Sequence, residues 1–254
     1  MAAVLDAWFQ GPVHVSGHRG ARAYAPMNTV PSFELAVAQG ADSVELDVHR
    51  SKDGYPVICH DFTVDATTDG SGRVTDKTLA ELKELDAGSW FGDAFRDVHI
   101  PTLDEVFEAV GHKVYVNVEI KSNSVQTDGV ETLVAEVITR HGLTNRVIVS
   151  SFNPLALQRF RAALPEVPIA FIYEANMTID TVGLIEQLGV PHEARHPHHS
   201  IVDAAYIAWA KSKGYRVNAW TVNDPTRAVE LRDLGVDTIT TDAPDVILNA
   251  VRGS

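Results

Sequence analysis

The sequence predicts an α/β fold in which eight parallel strands close into a (β/α)8 barrel. Three observations predict it. Apolar β-branched runs alternate with amphipathic helical segments nearly throughout, the candidate strands number eight, and several helical segments stop at a glycine. A chain of 254 residues suits one such domain, 1–254. An open doubly wound sheet is the alternative arrangement of the same units.

In chain order the strands begin near Val13 (VHVSGH), Ser43 (SVELDVH), Tyr115 (YVNVEIK), Val147 (VIVSSF), Pro168 (PIAFIYE), Pro191 (PHEARH), Arg216 (RVNAWTV) and Thr238 (TITTD). Between them lie VETLVAEVITRHG, PLALQRFRAALP, DAAYIAWAKSKG and PTRAVELRDLG, each with an apolar face at helical spacing. Gly40, Gly142, Gly189, Gly214 and Gly235 are the left-handed caps expected where a helix gives way to a strand. The start-to-start spacings are 30, 72, 32, 21, 23, 25 and 22, so the second unit carries an insertion, placed at 61–111. It holds a turn-rich stretch (DATTDGSGRVTD), a short helix (TLAELKEL) and an Ile-Pro entry to another (IPTLDEVFEAV). Before it, YPVICHD follows Asp53-Gly54 and reads as a hairpin partner for the second strand.

Composition limits the function. Hydrophobic residues are 45% and charged residues 22%, which excludes a disordered, collagen-like or coiled-coil chain. The net charge of −13 repels nucleic acid and anionic membrane surfaces, so no nucleic-acid partner is expected. No run reaches the roughly 20 apolar residues of a transmembrane segment. The N-terminus lacks a signal-peptide pattern, and Cys59 is the single cysteine. These point to a reducing compartment and a cytoplasmic location.

Barrel enzymes carry their chemistry at the C-terminal ends of the strands. Here those ends are polar: His18-Arg19-Gly20 after the first, Glu45 and Asp47 in the second, Glu119 and Lys121 in the third, Trp220 and Asn223 near the seventh. Residues two apart share a face of a strand, so Glu45 and Asp47 point inward together, as do Glu119 and Lys121. Leu46 and Ile120 point to the helices. Three converging carboxylates suit one hard divalent cation, Mg²⁺ or Ca²⁺; a salt-bridge network at the rim is the plainer alternative. With Arg19 and Lys121 the group carries −1, a phosphodiester makes it −2, and a divalent cation brings the loaded site to zero. His18 and His60 are the acid–base candidates, and Asp61 follows His60 as an orienting group. Arg19 offers a planar fork to phosphate and Lys121 a point charge.

Other features suggest less. His192 to His199 (HEARHPHH) holds four of the eleven histidines and reads as a loop at a strand end, in which His196 alone reaches the mouth. His49 shares the face of Asp47 and reads as a strand exit. Cys59 faces away from His60 and reads as a buried, inert thiol.

Taken in order, GHRG (17–20), PMNT with PSFELAVAQGAD (26–42), VELDVHRSKDGYPVICHD (44–61), IPTLDEV, VNVEIK (116–121), SSF (150–152), NAWTVND (218–224) and GVDTITTDAPD (235–245) resemble the glycerophosphodiester phosphodiesterase family over essentially the whole chain. The resemblance implies a barrel with a small insertion in its second unit. It implies Glu45, Asp47 and Glu119 as metal ligands, His18 and His60 as the catalytic pair, Arg19 and Lys121 on phosphate oxygens, and Phe152 and Trp220 as apolar walls. The implied reaction is metal-dependent hydrolysis of a small-molecule glycerophosphodiester to glycerol 3-phosphate and an alcohol, through a cyclic phosphate. One departure stands out: Met27 occupies a position where the family usually has glutamate. The alternatives are a lysophospholipase D-like or sphingomyelinase D-like phosphodiesterase, and a barrel that binds a phosphodiester but turns it over poorly because of Met27.

Overall fold

A computed structural model describes residues 2–175, 177 and 184–253. Eight parallel strands close on themselves: β1 (His14–His18), β2 (Ser43–Arg50), β4 (Tyr115–Ile120), β5 (Val147–Ser151), β6 (Ile169–Tyr173), β7 (Ala194–Pro197), β8 (Arg216–Ala219) and β9 (Thr238–Thr241), with β9 pairing back onto β1. The short strand β3 (Pro56–Ile58) runs antiparallel against the far end of β2, joined through Asp53-Gly54, where Gly54 takes φ +93°. The sequence placed the start of the sixth predicted strand at Pro191. The strand begins at Ala194, because Pro191 has no N–H for a ladder and His192 Nδ1 turns back to the Val190 carbonyl at 2.8 Å.

The helices form the outer ring: α2 (Val30–Ala38), α4 (Leu103–Val106, continued by a wider turn over Phe107–Gly111), α5 (Val130–Arg140), α6 (Pro154–Ala163), α7 (Ala204–Ser212), α8 (Pro225–Leu234) and α9 (Pro244–Arg252). Many begin on a side chain that takes up free N–H groups: Thr102 with Glu105 for α4, Asn153 for α6, Asp203 for α7 and Asp224 for α8. The five cap glycines all lie at positive φ. Outward-facing strand residues such as Leu46, Val118, Ile120 and Val149 pack against Phe33, Phe107, Ile138 and Phe160 to make the main core. The extra elements of the second unit, a turn-rich stretch and α3 (Leu79–Lys83), sit on a satellite cluster of Val57, Cys59, Val64, Val74, Leu82, Ala87 and Ile100.

The lower end of the barrel is closed by α1 (Ala2–Trp8). Trp8 stacks on Tyr115 at 4.2 Å and donates from Nε1 to the Asn145 carbonyl at 2.9 Å. Leu5 and Trp8 cover Ile148, Ala170 and Ala194. Among the described residues no helix is long and apolar enough to cross a membrane.

Candidate active site

The mouth opens at the C-terminal ends of the strands as a cavity of about 280 Å³. His18, Arg19, Glu45, Glu119 and His60 line one side, and Phe152, Ile172, Glu174 and Trp220 another. Alternation on β2 and β4 brings carboxylate oxygens of Glu45, Asp47 and Glu119 within 4.8 Å of one another, all buried. Asp47 and Glu119 are register partners across the two strands.

Two cations are committed to this cluster. Lys121 Nζ lies 2.8 Å from Glu119 Oε1 and 3.3 Å from Asp47 Oδ1, and Arg19 Nε lies 3.2 Å from Asp47 Oδ2. Burial raises the Glu45 carboxyl well above its usual range, and the charges of Asp47 and Glu119 push the same way. Burial also raises Glu119, to about 7, against the pull of Lys121. Asp47 is pushed up by burial too, but Lys121 and Arg19 outweigh that and hold it well below the carboxylate range. Burial lowers Lys121, and the two carboxylates more than reverse it. Asp47 Oδ1 is buried, with the Lys121 ammonium as its ion-pair partner. Three buried oxygen donors at this spacing, two of their carboxyls pushed by burial toward the neutral form, fit a hard divalent cation.

The loop after β1 is bent to serve the cluster. Arg19 takes φ +55°, which points its N–H at Glu45 Oε2, 3.0 Å away. Gly20 follows at φ +85°, and a Cβ there would come within 2.4 Å of Ser32 Oγ. Asn28, at φ +59°, donates from Nδ2 to Asp47 Oδ2 at 2.8 Å. The thioether of Met27 meets Arg19 Nη1 at 3.3 Å.

Each histidine has a carboxylate behind it. His18 Nδ1 lies 2.7 Å from Asp242 Oδ1, and Asp242 is itself held by Asn223 Nδ2 at 2.8 Å and Arg22 Nε at 3.0 Å. Burial lowers the His18 imidazole, partly offset by Asp242. His60 Nδ1 lies 2.6 Å from Asp61 Oδ1. Burial lowers His60 as well, with the Asp47 charge opposing. His49 does not join the cluster; its Nε2 lies 3.3 Å from the His60 carbonyl and its ring packs edge-on against Phe62. Cys59 lies in the satellite cluster, and burial pushes its thiol up to about 12.

Of the sequence candidates, His18, Arg19, Glu45, His60, Glu119, Phe152 and Trp220 line this mouth; Asp47 and Lys121 do not line it but contact the same carboxylate cluster. Phe152 and Trp220 meet edge-to-face at 5.6 Å, and both line the cavity. Lys121 stands behind the carboxylates, whereas Arg19 is on the cavity wall. Sequence reasoning missed Asp242, Asn28 and Glu174 as site residues. The signal for Asp242 was barrel closure: β1 and β9 pair in register at Gly17 and Thr241, so the residues that follow, His18 and Asp242, are neighbours. Asn28 offered none, since its role depends on a left-handed backbone in a loop.

A family model described as the glycerophosphoryl diester phosphodiesterase family matches residues 18–246. A glycerophosphodiester phosphodiesterase from Caldanaerobacter subterraneus subsp. tengcongensis is 39% identical over 243 residues, covering 94% of this chain and 97% of its own. Among solved structures, a phosphodiesterase from Oleispira antarctica in complex with the product sn-glycerol-3-phosphate superposes with a TM-score of 0.83 at 36% identity, covering 94% of this chain and 96% of that one. A glycerophosphodiester phosphodiesterase from Agrobacterium tumefaciens superposes at 0.79 with 28% identity, over 92% of this chain and 98% of that one.

Proposed function

The chain belongs to the glycerophosphoryl diester phosphodiesterase family, and from that membership we propose that it hydrolyses glycerophosphodiesters to glycerol 3-phosphate and an alcohol, using His18 and His60 as acid and base. The observation that carries this reading is the pairing of two carboxylate-backed histidines with a three-carboxylate cluster around one cavity. Glu45, Asp47 and Glu119 would hold a divalent cation, Mg²⁺ or Ca²⁺, which supplies charge neutralisation and polarises phosphoryl oxygens.

The protein's own groups do the rest. Arg19 faces the cavity and takes a phosphodiester oxygen through its guanidinium, while Lys121 offsets the charge of the carboxylates from behind. Asp242 fixes the His18 ring with Nδ1 turned away from substrate, which leaves Nε2 as the acceptor. A lowered pKa keeps that ring neutral at physiological pH. His18 Nε2 removes the proton from the glyceryl 2-hydroxyl as its oxygen attacks phosphorus. His60, oriented by Asp61, protonates the departing alcohol oxygen; the arriving phosphodiester charge favours its imidazolium form. A five-membered cyclic phosphate results. Water then opens it, with His60 accepting the proton and His18 returning one to the 2-hydroxyl. Phe152 and Trp220 wall the cavity with apolar surface.

The test is release of glycerol 3-phosphate from glycerophosphocholine and glycerophosphoethanolamine by metal-stripped protein, before and after addition of Mg²⁺ or Ca²⁺. Activity is expected only with metal. His18→Ala and His60→Ala are each expected to lose about 10²–10⁴ in kcat. Near-full activity in both variants would falsify the two-histidine mechanism.

A further inference from the structure

Beneath the carboxylates the cavity ends on a floor of neutral side chains. Asn117 on β4, His196 on β7 and Asn218 on β8 line both the mouth cavity and a smaller one of about 30 Å³ below it. Asn218 is braced, its Oδ1 accepting from Thr240 Oγ1 at 2.9 Å. The His196 main chain is pinned, its carbonyl accepting from Trp220 Nε1 at 2.8 Å. Its ring, by contrast, makes no hydrogen bond among the described residues, although the residue is only 4% exposed. Asn117 Oδ1 is buried and unpaired as well.

A ring that lines a cavity and has no protein hydrogen-bond partner is free to take one from a ligand. Burial lowers His196 to about 3, so the ring stays neutral and offers one donor and one acceptor. Around it stand the Phe152–Trp220 pair and Ile172, which suit C–H edges. The charged groups Arg19, Glu45, Glu119 and Glu174 line the same cavity. A floor of neutral donors and acceptors under aromatic walls fits a short polyol arm better than it fits a cation or an anion.

We propose that His196, with Asn117 and Asn218 beside it, reads the terminal hydroxyl of the glyceryl arm and is the residue that selects glyceryl diesters over other alkyl diesters. This rests on the reading above for the reaction itself. The attacking 2-hydroxyl is left to His18, and the floor takes the hydroxyl one carbon further on. A pocket built to hydrogen-bond a hydroxyl rejects the analogue lacking it, because its buried polar groups are left without partners.

The experiment compares glycerophosphoethanolamine with 2-hydroxypropyl phosphoethanolamine, which keeps the attacking hydroxyl and lacks only the terminal one. The wild-type protein is expected to favour the glyceryl diester in kcat/KM by about a hundredfold or more. In His196→Leu that preference should collapse to less than about tenfold, through loss on the glyceryl diester alone. His196→Gln should recover part of it. A merely structural role would depress both substrates equally, so an unchanged ratio in His196→Leu overturns the proposal. So does a wild-type protein that does not discriminate. A second readout needs no turnover and no variant fold: the His196 ring nitrogen resonances of the wild-type protein should move with glycerol 3-phosphate and stay still with 2-hydroxypropyl phosphate. Stationary resonances with both ligands sink the idea. Should neither diester be cleaved, the hydrolytic reading fails by itself, and the resonance shifts still decide on the floor.

Discussion

Asp242 shows how much a single carboxylate sets at this mouth. Its oxygen holds His18 Nδ1 and raises an imidazole that burial otherwise lowers. Asp242→Asn removes that charge while keeping the shape. Its kcat is expected to fall about 10²-fold or more, as the ring loses its preferred tautomer. The sign of the pH effect follows from the same contact. A base works deprotonated, and removing the carboxylate lowers its pKa further. The acid limb of kcat/KM should therefore shift to lower pH in the variant, read from a pH–rate profile. Gly20 sets a different limit. Alanine there meets both a left-handed φ and the Ser32 side chain and backbone. Gly20→Ala should cost about 3 kcal/mol in urea unfolding, and activity should fall with it as Arg19 is displaced from Glu45.

At the scale of elements, β2 is the organising strand. Its first half pairs with β1, its other edge with β4, and its far end with β3. One strand thus positions Glu45 and Asp47 and, through the hairpin, His60. Period-two alternation made the carboxylates legible in the sequence, and Asp53-Gly54 made the hairpin legible. The lower closure by α1 was not legible: seven residues carry too little periodicity, and what holds the helix is tertiary, the stacking of Trp8 on Tyr115 and its bond to the Asn145 carbonyl. Trp8→Ala should cost about 3 kcal/mol of stability. Because Trp8 sits at the end of the barrel away from the mouth, kcat should change little; urea denaturation beside a turnover assay checks both. The carboxylate behind His18 was illegible for a related reason, since it depends on which strands become neighbours when the sheet closes.

For the whole molecule, the buried polar interior sets the response to acid. His196 is lowered to about 3 and His192 to about 4, in each case mainly by burial. The unfolded chain takes up these protons near pH 6.5, and the folded chain refuses them until much lower pH. The contribution of these two rings is therefore complete above about pH 6.5 and declines as pH falls toward the folded values, by at most about 1.4 kcal/mol per pH unit for each ring, while the raised Glu45 and Glu119 carboxyls act in the opposite direction. Between pH 7 and pH 5 the urea midpoint of His196→Leu should rise relative to that of the wild-type protein, because the variant lacks the acid penalty of that ring.

The bond between His18 and Asp242 spans 224 positions of the chain. β1 is among the first strands to leave the ribosome, and β9 is the last. A nascent chain thus displays His18, the proposed base, with the Glu45, Asp47 and Glu119 carboxylates and the hairpin histidine, long before the carboxylate that holds the His18 ring exists. The proposed mechanism therefore requires that synthesis has passed residue 242 and that the ends of the sheet have met. The partner of the first strand is the one made last, so a stalled or clipped chain carries most of the proposed catalytic residues without the closed sheet that brings them together.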